Sequence, residues 1–346
     1  MGEVLGIGCT HYPPGLAKSE AKPWPLIYLL KNDKRIPEPL RDPANWPAPM
    51  QEQWGSDEGL TTHIADRKRM RAAFAALRAE VDAFKPDLVV IWGDDQYENF
   101  REEIVPPFCV QAYDEIVCQP FHRIHNRPNI WDEPTDKIFR FPGHREAGKY
   151  ITRCALDAGI DMPYSYRPRE SVGIGHAFAN TLLFLDWDRR GFDYPVVPIS
   201  VNAYGRFLIS YRGGISRHDG TEDPPCPSPA RCFDMGRAVG KALRDSPWRT
   251  VLIGSSSWSH AFLCEKNHWL YPDLDADHTL LEQLKTGAFG QWRNLTTDWI
   301  ERTGEGEFLS WISLGGAMAE LGLKARVIDW IPTWIFNASQ CYAVFS

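Results

Sequence analysis

The segment DLVVIWGDD (residues 87–95) sets five consecutive apolar residues between an acid and a Gly-Asp-Asp ending. A strand with one wet face would alternate in polarity, whereas a short unbroken apolar run fits a strand buried on both faces of a helix-covered sheet. The residues before it supply such a helix. Met70, Phe74, Leu77, Val81 and Phe84 recur at spacings of three and four within residues 65–84, and Pro86 closes the stretch. Comparable runs, EVLGIG at the start, YPVVPISVN (194–202), RTVLIGSSS (249–257) and ARVIDWIP (325–332), alternate with the helical patterns SPARCFDMGRAVGKALRD and EFLSWISLGGAMAELG. The alternation predicts an α/β fold with a central, mostly parallel or mixed sheet flanked by helices.

The rest of the chain elaborates that frame. Residues up to about 60 are rich in Pro and Trp with little periodicity, and Trp24, Trp46 and Trp54 give the segment apolar surface to bury. It is expected to pack as a wall or lid over a site rather than to stay disordered. Long insertions at 106–145 and 203–228 carry Pro, Gly, His and Arg, and no repeat, low-complexity tract or flexible linker divides the chain. Residues 1–346 are therefore expected to form one elaborated domain.

Charge and composition exclude several roles. A formal charge of -7 without a basic block argues against nucleic-acid binding. The longest apolar runs, such as LVVIW, fall far short of the roughly 20 residues of a membrane span, so no membrane association is expected. MGEVLGIG has neither the basic nor the long apolar region of a secretory leader, and Gly6 stands where acylation needs Ser or Thr. The cysteines are scattered without CxxC pairs, which suits reduced thiols and a cytoplasmic protein.

In open α/β sheets ligands gather beyond the carboxyl ends of the strands. There the sequence places His11 in GIGCTHYPPGL, the acids of GDDQYENF, and His260 and Glu265 in SSSWSHAFLCEKNHW. Two imidazoles and one carboxylate on one face of a divalent metal leave positions open for substrate and dioxygen. His63, at the head of the amphipathic helix in GLTTHIADRKRM, is the candidate second imidazole. Asp94 and Asp95 could orient ligating imidazoles by accepting the second ring N–H. His176, after Gly173 and Gly175 in GIGHAFANTLLFL, is a candidate general acid and base. Taken one at a time, each residue also has a plain structural role: His11 as a hydrogen-bonded strand end, His63 as a helix start, Glu265 as a solvated loop acid, and Asp94 and Asp95 as turn caps.

Together the stretches LGIGCTHYP, DLVVIWGDDQYENF, GIGHAFANTLLF, VVPISVN, GSSSWSHAFLCE and GEFLSWISLGGAM resemble the class III extradiol ring-cleavage dioxygenases. That family includes the β subunit of protocatechuate 4,5-dioxygenase, and the likeness is nearest to single-chain enzymes of the 3-O-methylgallate dioxygenase kind. The resemblance implies an Fe(II) site with His11 and Glu265 as ligands, His63 as the further imidazole, and His176 as the acid–base residue. His122 and His125 in PFHRIHNRP are alternatives to His63, and Thr10 stands where Ser is commoner. The resemblance further implies a catecholic or gallate-like aromatic diol and O2 as substrates; Tyr12, Phe178 and Trp258 are candidates to wall the pocket, and His260 is a further substrate-binding candidate. If the substrate bears a carboxylate, an arginine could clamp it, but the sequence singles none out. A homodimer is the default expectation for an enzyme of this size. Two other readings stay open: a two-metal hydrolase using Asp94, Asp95 and the histidines, and a non-catalytic scaffold binding another protein through its Trp-rich loops.

Overall fold

Short apolar runs bounded by turn residues become strands here, and their order in the sheet decides which loops meet. The protein is described by a computed structural model over residues 2–18, 22–124, 127–170, 173–214 and 221–346. The strands are β1 (Val4–Cys9), β2 (Leu88–Asp94), β3 (Phe108–Gln111), β4 (Glu115–Cys118), β5 (Phe139–Pro142), β6 (Tyr164–Ser165), β7 (Val196–Val201), β8 (Thr250–Ser255), β9 (Ala325–Ile331) and β10 (Gln340–Phe345). Eight of them form one sheet in the order β6-β3-β7-β2-β8-β1-β10-β9, and β4 pairs with β5 separately. The central strands β7, β2, β8 and β1 are mutually parallel. β10 runs antiparallel to both β1 and β9, and β3 runs antiparallel to β7. The mixed α/β sheet agrees with the sequence reading, and β10, which was not read as a strand, supplies an antiparallel neighbour for β1.

Helices cover both faces. Five matter for the site: α1 (Trp24–Asn32), α2 (Leu60–Phe84), α3 (His176–Leu185), α4 (Pro229–Arg244) and α5 (Leu309–Leu321). Phe74 and Leu77 of α2 and Phe178 and Leu182 of α3 share one core with Val89 and Ile253 of the sheet. Phe233 of α4 and Trp311 and Leu314 of α5 share the other with Trp92 and Leu252. α4 and α5 touch through backbone: a Cβ on Gly236 would overlap the Ser313 carbonyl, and one on Gly316 the Phe233 carbonyl. Only glycine allows that approach, and it fixes where α5 begins.

The early Pro- and Trp-rich segment is more ordered than its lack of periodicity suggests. Pro25 and Pro49 sit in the first turns of α1 and of the helix Ala48–Trp54, where the missing N–H costs nothing. Leu26, Leu29, Trp46 and Met50 pack with Tyr12, Tyr204 and Phe262 into a third apolar cluster, so the segment is a wall. All eight cysteines are free thiols. Among the described residues no helix is long and apolar enough to cross a membrane.

Candidate active site

Because β1, β2 and β8 are parallel and in register, their carboxyl ends open on one rim. His11 follows β1, Glu98 follows β2, and Ser257 and His260 follow β8. The single turn Gly306–Phe308 that leads into α5 adds Glu307. All five side chains line one cavity of about 1030 Å³.

His11 is buried, and its Nδ1 lies 3.2 Å from the Ser255 carbonyl. A carbonyl only accepts, so Nδ1 carries a proton there and Nε2 is the nitrogen presented to the cavity. Two carboxylates meet that Nε2: Asp94 Oδ1 at 3.1 Å and Glu307 Oε2 at 3.3 Å. Asn180 donates to the His11 carbonyl at 2.9 Å, and the Thr10 and Ser257 hydroxyls meet at 2.6 Å, which pins the loop on either side of the imidazole.

Glu307 is shared. Its Oε1 lies 3.2 Å from His260 Nε2 and accepts the Tyr204 hydroxyl at 2.6 Å, while His260 Nδ1 donates to the Trp258 carbonyl at 2.7 Å. Burial alone would raise Glu307, yet the His260 and His11 rings hold it well below the usual carboxylate range. Burial would likewise lower His11, but Glu307 and Asp94 lift it to about 10. His260 is raised, again against burial, by Glu307.

His176 stands edge-on to His11, with ring centroids 5.0 Å apart. Its backbone N–H donates to Glu98 Oε1 at 2.8 Å, and its Nδ1 lies 3.3 Å from Glu98 Oε2. Glu98 thus sits at the N-terminus of α3, where a negative charge is favoured. Asp95 holds Glu98 in turn by accepting the Glu98, Asn99 and Phe100 backbone N–H groups, and burial followed by the charge of Glu98 raises its carboxyl to about 7.

Several expectations are corrected. Glu265 is exposed on the turn Glu265–Asn267 and does not line the cavity, so the glutamate facing His11 is Glu307. After β8 the chain brings His260 inward before it carries Glu265 out to solvent. Glu307 lay within the GEFLSWISLGGAM stretch, where an acid opening an apolar helix was the available signal. His63 is buried and does not line the cavity: its Nε2 accepts from Arg67 at 2.7 Å and its ring packs on Phe336. Burial and then the charge of Arg67 pull its pKa down to about 3. His122 lines the cavity but is exposed, and His125 lies outside the described residues. Asp94 faces Nε2 of His11 rather than Nδ1, so it does not accept the second ring N–H. Asp95 organises the turn after β2. Phe178 and Trp258 belong to the cores beneath the rim, while Tyr12 and His260 line the cavity.

The donors suit a divalent cation. Among the described residues His11, Asp94 and His176 each bring one ligand atom within 4.8 Å of the others. Asp94 is fully buried and neither of its oxygens makes a well-formed hydrogen bond among the described residues. Buried carboxylates left in that state call for a compensating charge.

Residues 222–336, which carry β8, His260 and Glu307, match the family described as the catalytic LigB subunit of aromatic ring-opening dioxygenase. Relatives extend the likeness over most of the chain. One from Paraburkholderia phymatum, named 2,3-dihydroxyphenylpropionate/2,3-dihydroxicinnamic acid 1,2-dioxygenase, is 26% identical over 315 residues, covering 77% of this chain and 87% of that protein. One of the same name from Burkholderia vietnamiensis is 27% identical, covering 81% and 90%. Another from Comamonas testosteroni is 31% identical over 206 residues, covering 58% of this chain and 52% of that protein. Residues 222–336 thus carry a LigB-type match, and over most of its length the chain is similar to ring-opening dioxygenases of the class III extradiol kind.

Proposed function

We propose that residues 1–346 act as one cytoplasmic, ferrous-iron extradiol dioxygenase that opens a catecholic ring bearing an acidic side chain. The observation that carries the metal assignment is the meeting of Asp94 and Glu307 at His11 Nε2, within 3.3 Å. Of the converging group His11, Asp94 and His176, the first two are the proposed donors, with Glu307 as a further carboxylate against His11 Nε2, and His176 is left for proton transfer. His11, Asp94 and Glu307 would hold a ferrous ion there, which would supply the redox chemistry by which dioxygen opens the ring.

The remaining groups handle protons. His176 takes a phenolic proton as the diol binds, and Glu98 against its Nδ1 stabilises the resulting imidazolium. His260, tied to Glu307 and to the Trp258 carbonyl, is the second imidazole able to exchange a proton at the cavity wall. Tyr12 and Tyr204 flank the same wall and exclude water from its buried end. The acidic side chain is supported by the relatives, whose names describe dihydroxyphenyl propionic and cinnamic acids. Reduced thiols throughout the chain support the cytoplasmic assignment.

The test is anaerobic loading with Fe(II) or Mn(II), followed by oxygen-electrode measurements on catechols, gallates and aminophenols. One dioxygen consumed per ring opened, with iron only, is expected. No oxygen uptake with any diol at stoichiometric iron would reject the reading.

A further inference from the structure

Three arginines line the cavity among the described residues: Arg101, Arg127 and Arg212. Two already serve local acids. Arg101 donates from Nε to the Tyr97 carbonyl at 3.1 Å and lies 3.7 Å from Glu170. Arg212 lies, with Arg101, in the field of Glu102, whose carboxylate accepts the Tyr97 hydroxyl at 2.6 Å.

Arg127 differs. Its guanidinium lies 4.4 Å over the Trp24 ring at the start of α1, and Nη1 donates only to the Ile124 carbonyl, at 3.2 Å. Among the described residues it has no carboxylate partner. Burial lowers its pKa and no acid raises it. Its backbone is fixed to the loop that leaves His11: Lys18 N–H donates to the Pro128 carbonyl and Ile130 N–H to the Leu16 carbonyl, both at 2.9 Å, and Ala17 bridges Asn129. The buried Asn129 side chain closes the turn by accepting the Trp131 and Glu133 N–H groups at 3.1 Å.

We propose that Arg127, seated on Trp24, is the specificity-determining residue that binds the carboxylate of the ring's side chain. A planar guanidinium held by an aromatic face keeps the rest of its donor fork directed at a ligand, and that fork matches a carboxylate bidentately. A partly desolvated cation without an anionic neighbour gains more from such a ligand than a solvated one does. The assignment rests on the ring-opening reading of the cavity, and it names which feature of the substrate the protein selects.

Calorimetric titration of the iron-loaded enzyme under anaerobic conditions with 3-phenylpropionate and with its carboxamide, 3-phenylpropanamide, tests it. The acid is expected to bind about 10- to 100-fold more tightly than the amide. Arg127→Met should abolish that preference, and Arg127→Lys, which keeps the charge but loses the fork, should retain only part of it. A wild-type enzyme without the preference, or either variant binding the acid as the wild type does, overturns the assignment. Neither probe carries the ring hydroxyls that ring opening requires, so the titration reads Arg127 independently of turnover. A protein that binds the acid through Arg127 yet consumes no oxygen with any diol would sustain this assignment and reject ring opening alone.

Discussion

Glu98 holds His176 at two points, its Oε1 accepting the backbone N–H at 2.8 Å and its Oε2 lying 3.3 Å from the ring Nδ1. One carboxylate therefore caps α3 and orients the imidazole. Glu98→Gln keeps an acceptor for the backbone but removes the charge that stabilises the imidazolium. The expected outcome is a fall in kcat of about 10- to 100-fold with metal content unchanged, read by metal analysis beside steady-state oxygen uptake. Loss of iron in this variant would show that Glu98 supports binding rather than proton transfer.

Glu307 and Glu265 separate the two candidate carboxylates. Glu307→Ala removes an oxygen donor beside His11 Nε2 and is expected to lower iron occupancy at least 10-fold, as is Asp94→Asn. Glu265→Ala, on an exposed turn, is expected to keep full occupancy. Dialysis against a graded chelator followed by metal analysis distinguishes them, and retention of iron by Glu307→Ala contradicts its assignment.

His63 gives a pH signature distinct from the metal. Its folded pKa of about 3 is below the ordinary value, so between those values the unfolded chain binds more protons than the folded one. Its contribution to stability is complete above the ordinary value and declines as pH falls toward 3. Between pH 7 and pH 5 the loss is about 2 kcal/mol. His63→Leu is expected to flatten this part of the profile, measured as urea midpoints at the two pH values, and to retain iron. An unchanged slope would mean that His63 titrates normally in the folded protein.

The α4–α5 contact sets the position of Glu307. Gly236→Ala places a methyl group on the Ser313 carbonyl and is expected to cost about 1–3 kcal/mol of stability. By shifting α5 it should weaken metal retention as well. Thermal melts with and without iron check both effects, and a variant as stable as the wild type would show that α5 can move freely.

The sheet strands flanking the site were legible because a doubly buried strand writes itself as an unbroken apolar run, as in LVVIW of β2. QCYAVF of β10 is also buried, but its mixed residues carry no comparable signal, and its place between β1 and β9 comes from long-range pairing. Pro25 and Pro49 read as loop punctuation, although each opens a helix whose apolar face finds partners only in the folded wall. Arg127 was indistinguishable from the other arginines until the chain beside Leu16–Lys18 set it over Trp24.

By itself the sequence determined the alternation of strands and helices, the rim at the ends of the parallel strands, and His11 upon it, since each follows from local periodicity and from where a strand stops. Which acid faces that imidazole was decided only by tertiary structure. Glu265 and Glu307 are both glutamates downstream of β8, but a helix packed through Gly236 and Gly316 turns Glu307 into the cavity, while the Glu265 side chain is exposed on its turn. A carboxylate stays buried only where imidazoles, a hydroxyl or a cation meet it, and those partners come from distant parts of the chain.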